Sequence, residues 1–158
     1  MSQFIIEQVA LYPPDPGRAV QLLRELGLTD WVHDNVVAVG VVHGAEGTNA
    51  AALAFNYDAS PPSGLLELEV LHYTAGPHWM EHVRPSVSHL GMHCTEEALV
   101  QWRERFARLG IDVAQEVLTQ QHTNPYLLEK RRKYQYVIFN TRPILGVDLK
   151  FIVRREGA

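Results

Sequence analysis

The sequence predicts an α+β protein, a single domain over residues 1–158 made of two tandem β-α-β-β-β modules. Three observations predict it. The order strand, helix, three strands is legible twice, over 3–73 and again over 86–154, with a linker at 74–85. The halves share a local signature, LRELGL (23–28) against FARLGI (106–111), and an aligned first strand, QVALY (8–12) against HLGMH (89–93). A duplicated unit is stronger evidence than any one strand. Finally, three strands in succession after each helix argue against the strict alternation of a doubly wound sheet.

In the first module QFIIEQVALY (3–12) alternates as a strand and PPDPG breaks it. Asp15 is a helix N-cap with Pro16 at the first helical position. Ala19, Leu22, Leu23 and Leu26 fall on one helical face, and Gly27 supplies the stop. HDNVVAVGVVHG (33–44) and TNAAALAFNY (48–57) read as strands joined by a GAEG turn; ASPPSG is a loop, and LLELEVLHY (65–73) alternates strongly. TAGPHWMEHVRP (74–85) reads as a linker. Its His78 and His82 lack the surrounding carboxylates or cysteines of a metal site, so they read as solvated.

The second module repeats the pattern. SVSHLGMHC (86–94) is a strand, so His89 and His93 share a strand face rather than a helix face. Thr95 caps a helix carrying Leu99, Trp102, Phe106 and Leu109, and Gly110 stops it. IDVAQEVLTQQ (111–121), KYQYVIFNT (133–141) and VDLKFIVR (147–154) are strands, with HTNPYLLEKRR between the first two.

Composition bounds what such a domain does. Apolar residues make up 46% of the chain and charged residues 20%, a globular balance. Net charge is −4 and the one basic cluster, EKRRK (129–133), is short, so no nucleic-acid partner is expected. No apolar run approaches the ~20 residues of a membrane-spanning helix. MSQFIIEQVALYPP lacks the basic lead of a signal peptide. The single cysteine, Cys94, fits a reducing, cytoplasmic setting and faces the apolar side of its strand.

Strand parity sorts the faces. Leu66, Leu68 and Val70 oppose Glu67 and Glu69; Leu90, Met92 and Cys94 oppose His89, Gly91 and His93. Val147, Leu149, Phe151 and Val153 oppose Asp148, Lys150, Ile152 and Arg154, and Val9 and Leu11 oppose Gln8, Ala10 and Tyr12. The apolar faces pack under helices. The other faces are either wet, as one side of an antiparallel sheet commonly is, or they line a site.

The repeated order, HLGMHC, EALVQWRERFARLGID, ELEVLHY and the closing GVDLKF together resemble the vicinal oxygen chelate superfamily. This is the group of glyoxalases, extradiol dioxygenases and bleomycin-resistance proteins. The resemblance covers about residues 3 to 154 and is more specific for fold than for reaction. It implies a half-open barrel around a central cleft and one divalent metal held by the first and last strands of each module. By position, the metal ligands would be Gln8, Glu69 and His89. The fourth ligand, a glutamate in the family's G-x-x-I-E-F, is Lys150 in GVDLKF. Lysine has no lone pair to donate while protonated. A mixed nitrogen and oxygen set with open positions suits Fe(II), Mn, Ni or Zn.

The function this implies is a metal-dependent lyase, isomerase or dioxygenase acting on a small oxygen-bearing substrate. Glu69, or Glu67 beside it, would exchange protons, and Lys150 would supply positive charge to a developing anion. Tyr12, His93, His122, Asn124 and Asp148 are candidate substrate contacts, the HTNP loop bordering the cleft in such a fold. The alternative is a metal-free protein that binds or sequesters a small molecule between aromatic walls such as Tyr12, Tyr57, Tyr134 and Tyr136. Half-open sheets leave edges, and relatives of this kind commonly dimerise, so a homodimer is expected.

Overall fold

The computed structural model describes residues 2–56, 66–76, 86–129 and 131–155. Among them are strands β1 (Gln8–Tyr12), β2 (Trp31–Val42), β3 (Ala45–Asn56), β4 (Glu67–Ala75), β5 (Ser86–Cys94), β6 (Val113–Gln121), β7 (Lys133–Phe139) and β8 (Asp148–Arg155). The helices are α1 (Pro16–Glu25), α2 (Glu96–Arg108), α3 (Pro125–Glu129) and α4 (Arg142–Leu145). The chain is thus α+β, as the sequence predicts. The expected pair His78 and His82, and Tyr57, lie outside the described residues. No helix among the described residues is long and apolar enough to cross a membrane.

The strands form a closed barrel in the order β1-β4-β3-β2-β6-β7-β8-β5. This corrects the half-open expectation. Two antiparallel seams, β1 with β5 and β2 with β6, join what would otherwise be open edges. Gly40 sits at the second seam, where a Cβ would collide with the Glu116 carbonyl; only glycine lets β2 cross β6 that closely.

Local chemistry explains the elements. Asp15 accepts a bond from the Arg18 N–H at 3.0 Å and Thr95 one from the Ala98 N–H at 3.2 Å, so each long helix begins on a side-chain cap. Both end alike. The Gly27 N–H donates to Arg24 O and the Leu28 N–H to Leu23 O, each at 3.0 Å; Gly110 donates to Ala107 O and Ile111 to Phe106 O at 3.0 and 2.9 Å. That is the paired bonding of a Schellman stop, with its left-handed residue at Gly27 (φ 98°) and Gly110 (φ 69°). The shared LRELGL and FARLGI signature is therefore one helix-ending device used twice.

The turn between β2 and β3 falls on His43 and Gly44, at φ 48° and 81°. It is not spread over GAEG. Two positive φ values in a two-residue hairpin match the twist of the flanking strands.

Parity holds around the ring. Outside, α2 sets Leu99, Trp102 and Phe106 on Met92, Val137, Phe139, Phe151 and Val153, with the Phe106 and Phe139 rings stacked at 4.1 Å. α1 makes a smaller contact, burying Val20 against Ala54 and Val70. Inside, Tyr12, Ala38, Val42, Leu71, Tyr73, Val117 and Ile138 form an apolar plug. A cavity lies against this plug, and Ala38, Leu71, Tyr73, Val117 and Ile138 also line it.

Candidate functional site in the barrel interior

The cavity holds about 860 Å³ of space, counting its open mouth. Its polar wall is built by four neighbouring strands, β4, β1, β5 and β8. One rung across them reads Glu67, Gln8, Gly91, Lys150, and the next reads Glu69, Ala10, His89, Asp148. Each rung sets three polar side chains beside one residue that has little or none, Gly91 in the first and Ala10 in the second. A Cβ on Gly91 would lie 3.1 Å from both Cβ and Oε1 of Gln8, so the missing side chain is the space in which the Gln8 amide lies. Ala10 likewise leaves the span between Glu69 and His89 open.

Hydrogen bonds fix the orientation of this wall. The Gln8 Nε2 amide donates to Glu67 Oε1. A carboxylate only accepts, so the Gln8 amide nitrogen must face it and Gln8 Oε1 must face the other way. That oxygen stands 2.8 Å from His89 Nε2. Being an acceptor, it requires the proton on Nε2, which leaves His89 Nδ1 to accept from the Ser88 hydroxyl at 3.2 Å. Burial, with Lys150 and Arg142 adding to it, pushes His89 well below the usual histidine range, so its ring is neutral.

Lys150 is 8% exposed. Its Nζ lies 3.4 Å from His89 Nε2 and 4.3 Å above the centre of the Tyr136 ring, a cation–π arrangement. Glu69 is 1% exposed, and its Oε2 lies 4.0 Å from His89 Nε2, beyond hydrogen-bonding range. Burial raises its pKa to about 7, Lys150 pulling the other way and Glu67 adding to the rise. Its proton can leave or return near neutral pH.

Gln8, Glu67, Glu69, His93, Asn124 and Lys150 all face the cavity, whereas His89 stands sealed behind Gln8. The His93 side chain is half exposed, 3.4 Å from Glu7, so the mouth lies there. Tyr12 belongs to the plug, stacked 5.7 Å from Tyr73, and is not a wall of the cavity. Asp148 is held by Arg142 at 3.2 Å, and Arg142 also donates to the Ser88 carbonyl at 2.6 Å. The carboxylate is thereby taken up in bracing α4 against β5. Cys94, half-buried with its thiol pushed up to about 11 by burial, packs beside the α2 core as expected.

Sequence reasoning missed Asp34. On β2, across the ring from the polar rungs, it faces the cavity and accepts from the Thr123 and Asn124 N–H groups at 2.8 and 3.0 Å. His122 Nδ1 lies 3.3 Å from its other oxygen. The HTNP segment is therefore pinned by one buried carboxylate. Its signal was an acid at an inward position of an otherwise apolar alternation, Asp34, Val36, Ala38.

Among the described residues no three His, Cys, Asp or Glu side chains are grouped to hold a metal ion. The donors that the resemblance assigns to one do not fit it as they stand: Gln8 Oε1 accepts from His89, and His89 Nε2 carries a proton.

No family model matches the chain, and no curated protein does. Among solved structures it is similar to hypothetical protein BH1468 from Bacillus halodurans C-125, with a TM-score of 0.54 and 12% identity, over 98% of this chain and 96% of that one. At that identity the likeness concerns fold alone.

Proposed function

We propose that this chain is a glyoxalase-like barrel of two tandem β-α-β-β-β modules that takes a small oxygen-bearing molecule into its interior. Glu69 exchanges a proton with that molecule, the chemistry of a lyase or isomerase. The module reading is supported by pairing that recurs in both halves, β1 parallel to β4 and β5 parallel to β8. A cytoplasmic setting belongs to the same reading.

The observation that carries it is the meeting of one buried carboxyl and one buried ammonium on the wall of a single cavity. In the step, a C–H bond next to a carbonyl breaks. Its proton goes to Glu69, and its electron pair forms an enolate whose oxygen becomes negative. In a 2-hydroxy carbonyl compound the hydroxyl proton passes to that oxygen, and return of the Glu69 proton to the former carbonyl carbon, as the 2-oxygen becomes the new carbonyl, gives the isomer. A general base of this kind contributes roughly 10²–10⁴ in rate.

The test is proton exchange read by NMR in D2O, with a panel of small 2-hydroxy ketones, 2-hydroxy aldehydes and 2-oxo acids. Deuterium should enter at carbon next to the carbonyl, and Glu69→Gln should slow this by about 100-fold or more. Saturable binding with no exchange on any member favours the second reading, a protein that only holds its ligand. That reading is supported by the apolar and aromatic side chains that also line the cavity: Leu53, Phe55, Leu71 and the parallel Tyr134 and Tyr136 rings, 6.2 Å apart.

A further inference from the structure

We infer that Lys150 stands in place of a divalent ion: the polar cluster is built around a resident ammonium, and its donors are turned away from metal. The inference rests on reading the interior as the site. It deepens that reading by naming the positive charge that meets the ligand's oxygen.

The argument is one of hydrogen-bond direction. Glu67 can only accept, so it orients the Gln8 amide, and Gln8 Oε1 in turn places the proton on His89 Nε2. A metal-binding imidazole nitrogen must offer a lone pair. On His89 that lone pair is on Nδ1, facing Ser88. The opposite tautomer would let Lys150 donate to Nε2 at 3.4 Å, but would set two acceptors against each other at 2.8 Å. The shorter contact decides for Nε2–H.

Placement supports the same conclusion. Gln8, Gly91 and Lys150 share a rung, and the lysine reaches from it to His89 on the next, its Nζ 3.4 Å from His89 Nε2. The ammonium is seated over Tyr136 and near His89, with Glu69 and Glu67 on the same cavity wall to balance it. A divalent ion added there would meet a like charge. An oxygen ligand with partial or full negative charge would instead meet the N–H donors of a buried ammonium, where such contacts are strong. The site would thus select a single oxyanion or carbonyl oxygen, not the two adjacent oxygens that a metal can chelate.

The test uses untagged full-length protein prepared without chelator. Its Co(II) binding is followed by the visible bands of the bound ion, and the His89 tautomer by long-range 1H–15N NMR. Wild type should bind no stoichiometric Co(II) at tens of micromolar and should show Nε2–H. Lys150→Glu should gain one equivalent, and the added His89→Ala change should remove it. If Lys150→Glu does not fold, the wild-type titration and the tautomer still decide. Stoichiometric Co(II) on wild type, weakened tenfold or more by His89→Ala, would overturn the inference. Cobalt unmoved by that substitution lies outside the cluster, and the tautomer then rules: Nε2–H supports the ammonium site and Nδ1–H overturns it. None of these measurements involves a substrate. Loss of the proton-transfer reading and loss of the ammonium site are therefore separate results.

Discussion

A carboxyl that is buried when folded and solvated when unfolded ties stability to pH. Glu69 moves from 4.5 to about 7, chiefly by burial. Its folded value lies above the unfolded one, so the folded state keeps a proton that the unfolded chain has released. Stability therefore falls as pH rises from 4.5 to about 7, by about 3 kcal/mol over the full window. Glu69→Gln removes that slope: compared with wild type, the variant should gain urea resistance at pH 8 relative to pH 5. Equal pH dependence in the two would mean that the carboxyl is solvated. Gly91 makes a second residue-scale case. Gly91→Ala should leave the strand intact yet push the Gln8 amide off His89, at a cost of about 1–3 kcal/mol in thermal or urea unfolding. Loss of the Nε2–H signal of His89 in the variant would show that the amide holds that tautomer.

The helix endings allow a sharper comparison between elements. Gly110→Ala puts a side chain at φ 69° and should cost about 1–2 kcal/mol. Phe106→Ala, five residues before Ile111, leaves a void against Phe139 and Phe151 and should cost about 3–5 kcal/mol. Urea midpoints of the two variants check the order. Elements that signal by periodicity or by caps were legible in the sequence: both long helices, their stops, and the inward faces of β1, β4, β5 and β8; that Gln8, Glu67, Glu69, His89 and Lys150 form one group came from the resemblance. Elements too short to show a period were not. α3 has five residues and α4 four, and missing α4 hid the Arg142 that occupies Asp148. The tethering of His122 was equally hidden, because Asp34 is 88 residues away in sequence. Parity says which side a residue takes, but not what it meets there.

For the molecule as a whole, closure removes the reason that open edges gave for dimerising. A second copy would have to use a face. Val39 and Val41 are exposed on one side of β2, outside the footprints of α1 and α2. If they form a homodimer contact, light scattering should read twice the chain mass for wild type and the single mass for Val41→Lys. A wild-type monomer would leave both as ordinary isolated surface valines.

An open sheet can absorb a misplaced residue at its margin; a ring cannot. The offsets between neighbouring strands must sum around the barrel to one fixed stagger, so a slip in any pair has to be undone in another. Irregular steps already occur between Ala10 and Leu11, Val37 and Ala38, Ala50 and Ala51, and Val113 and Gln115. One residue inserted between Gly146 and Lys150 would face a choice between turning the ammonium outward and breaking a seam. The ring thus acts as a checksum on the chain: it admits exchanges of one interior side chain for another, and it makes a change in count in one strand pair depend on a compensating change elsewhere.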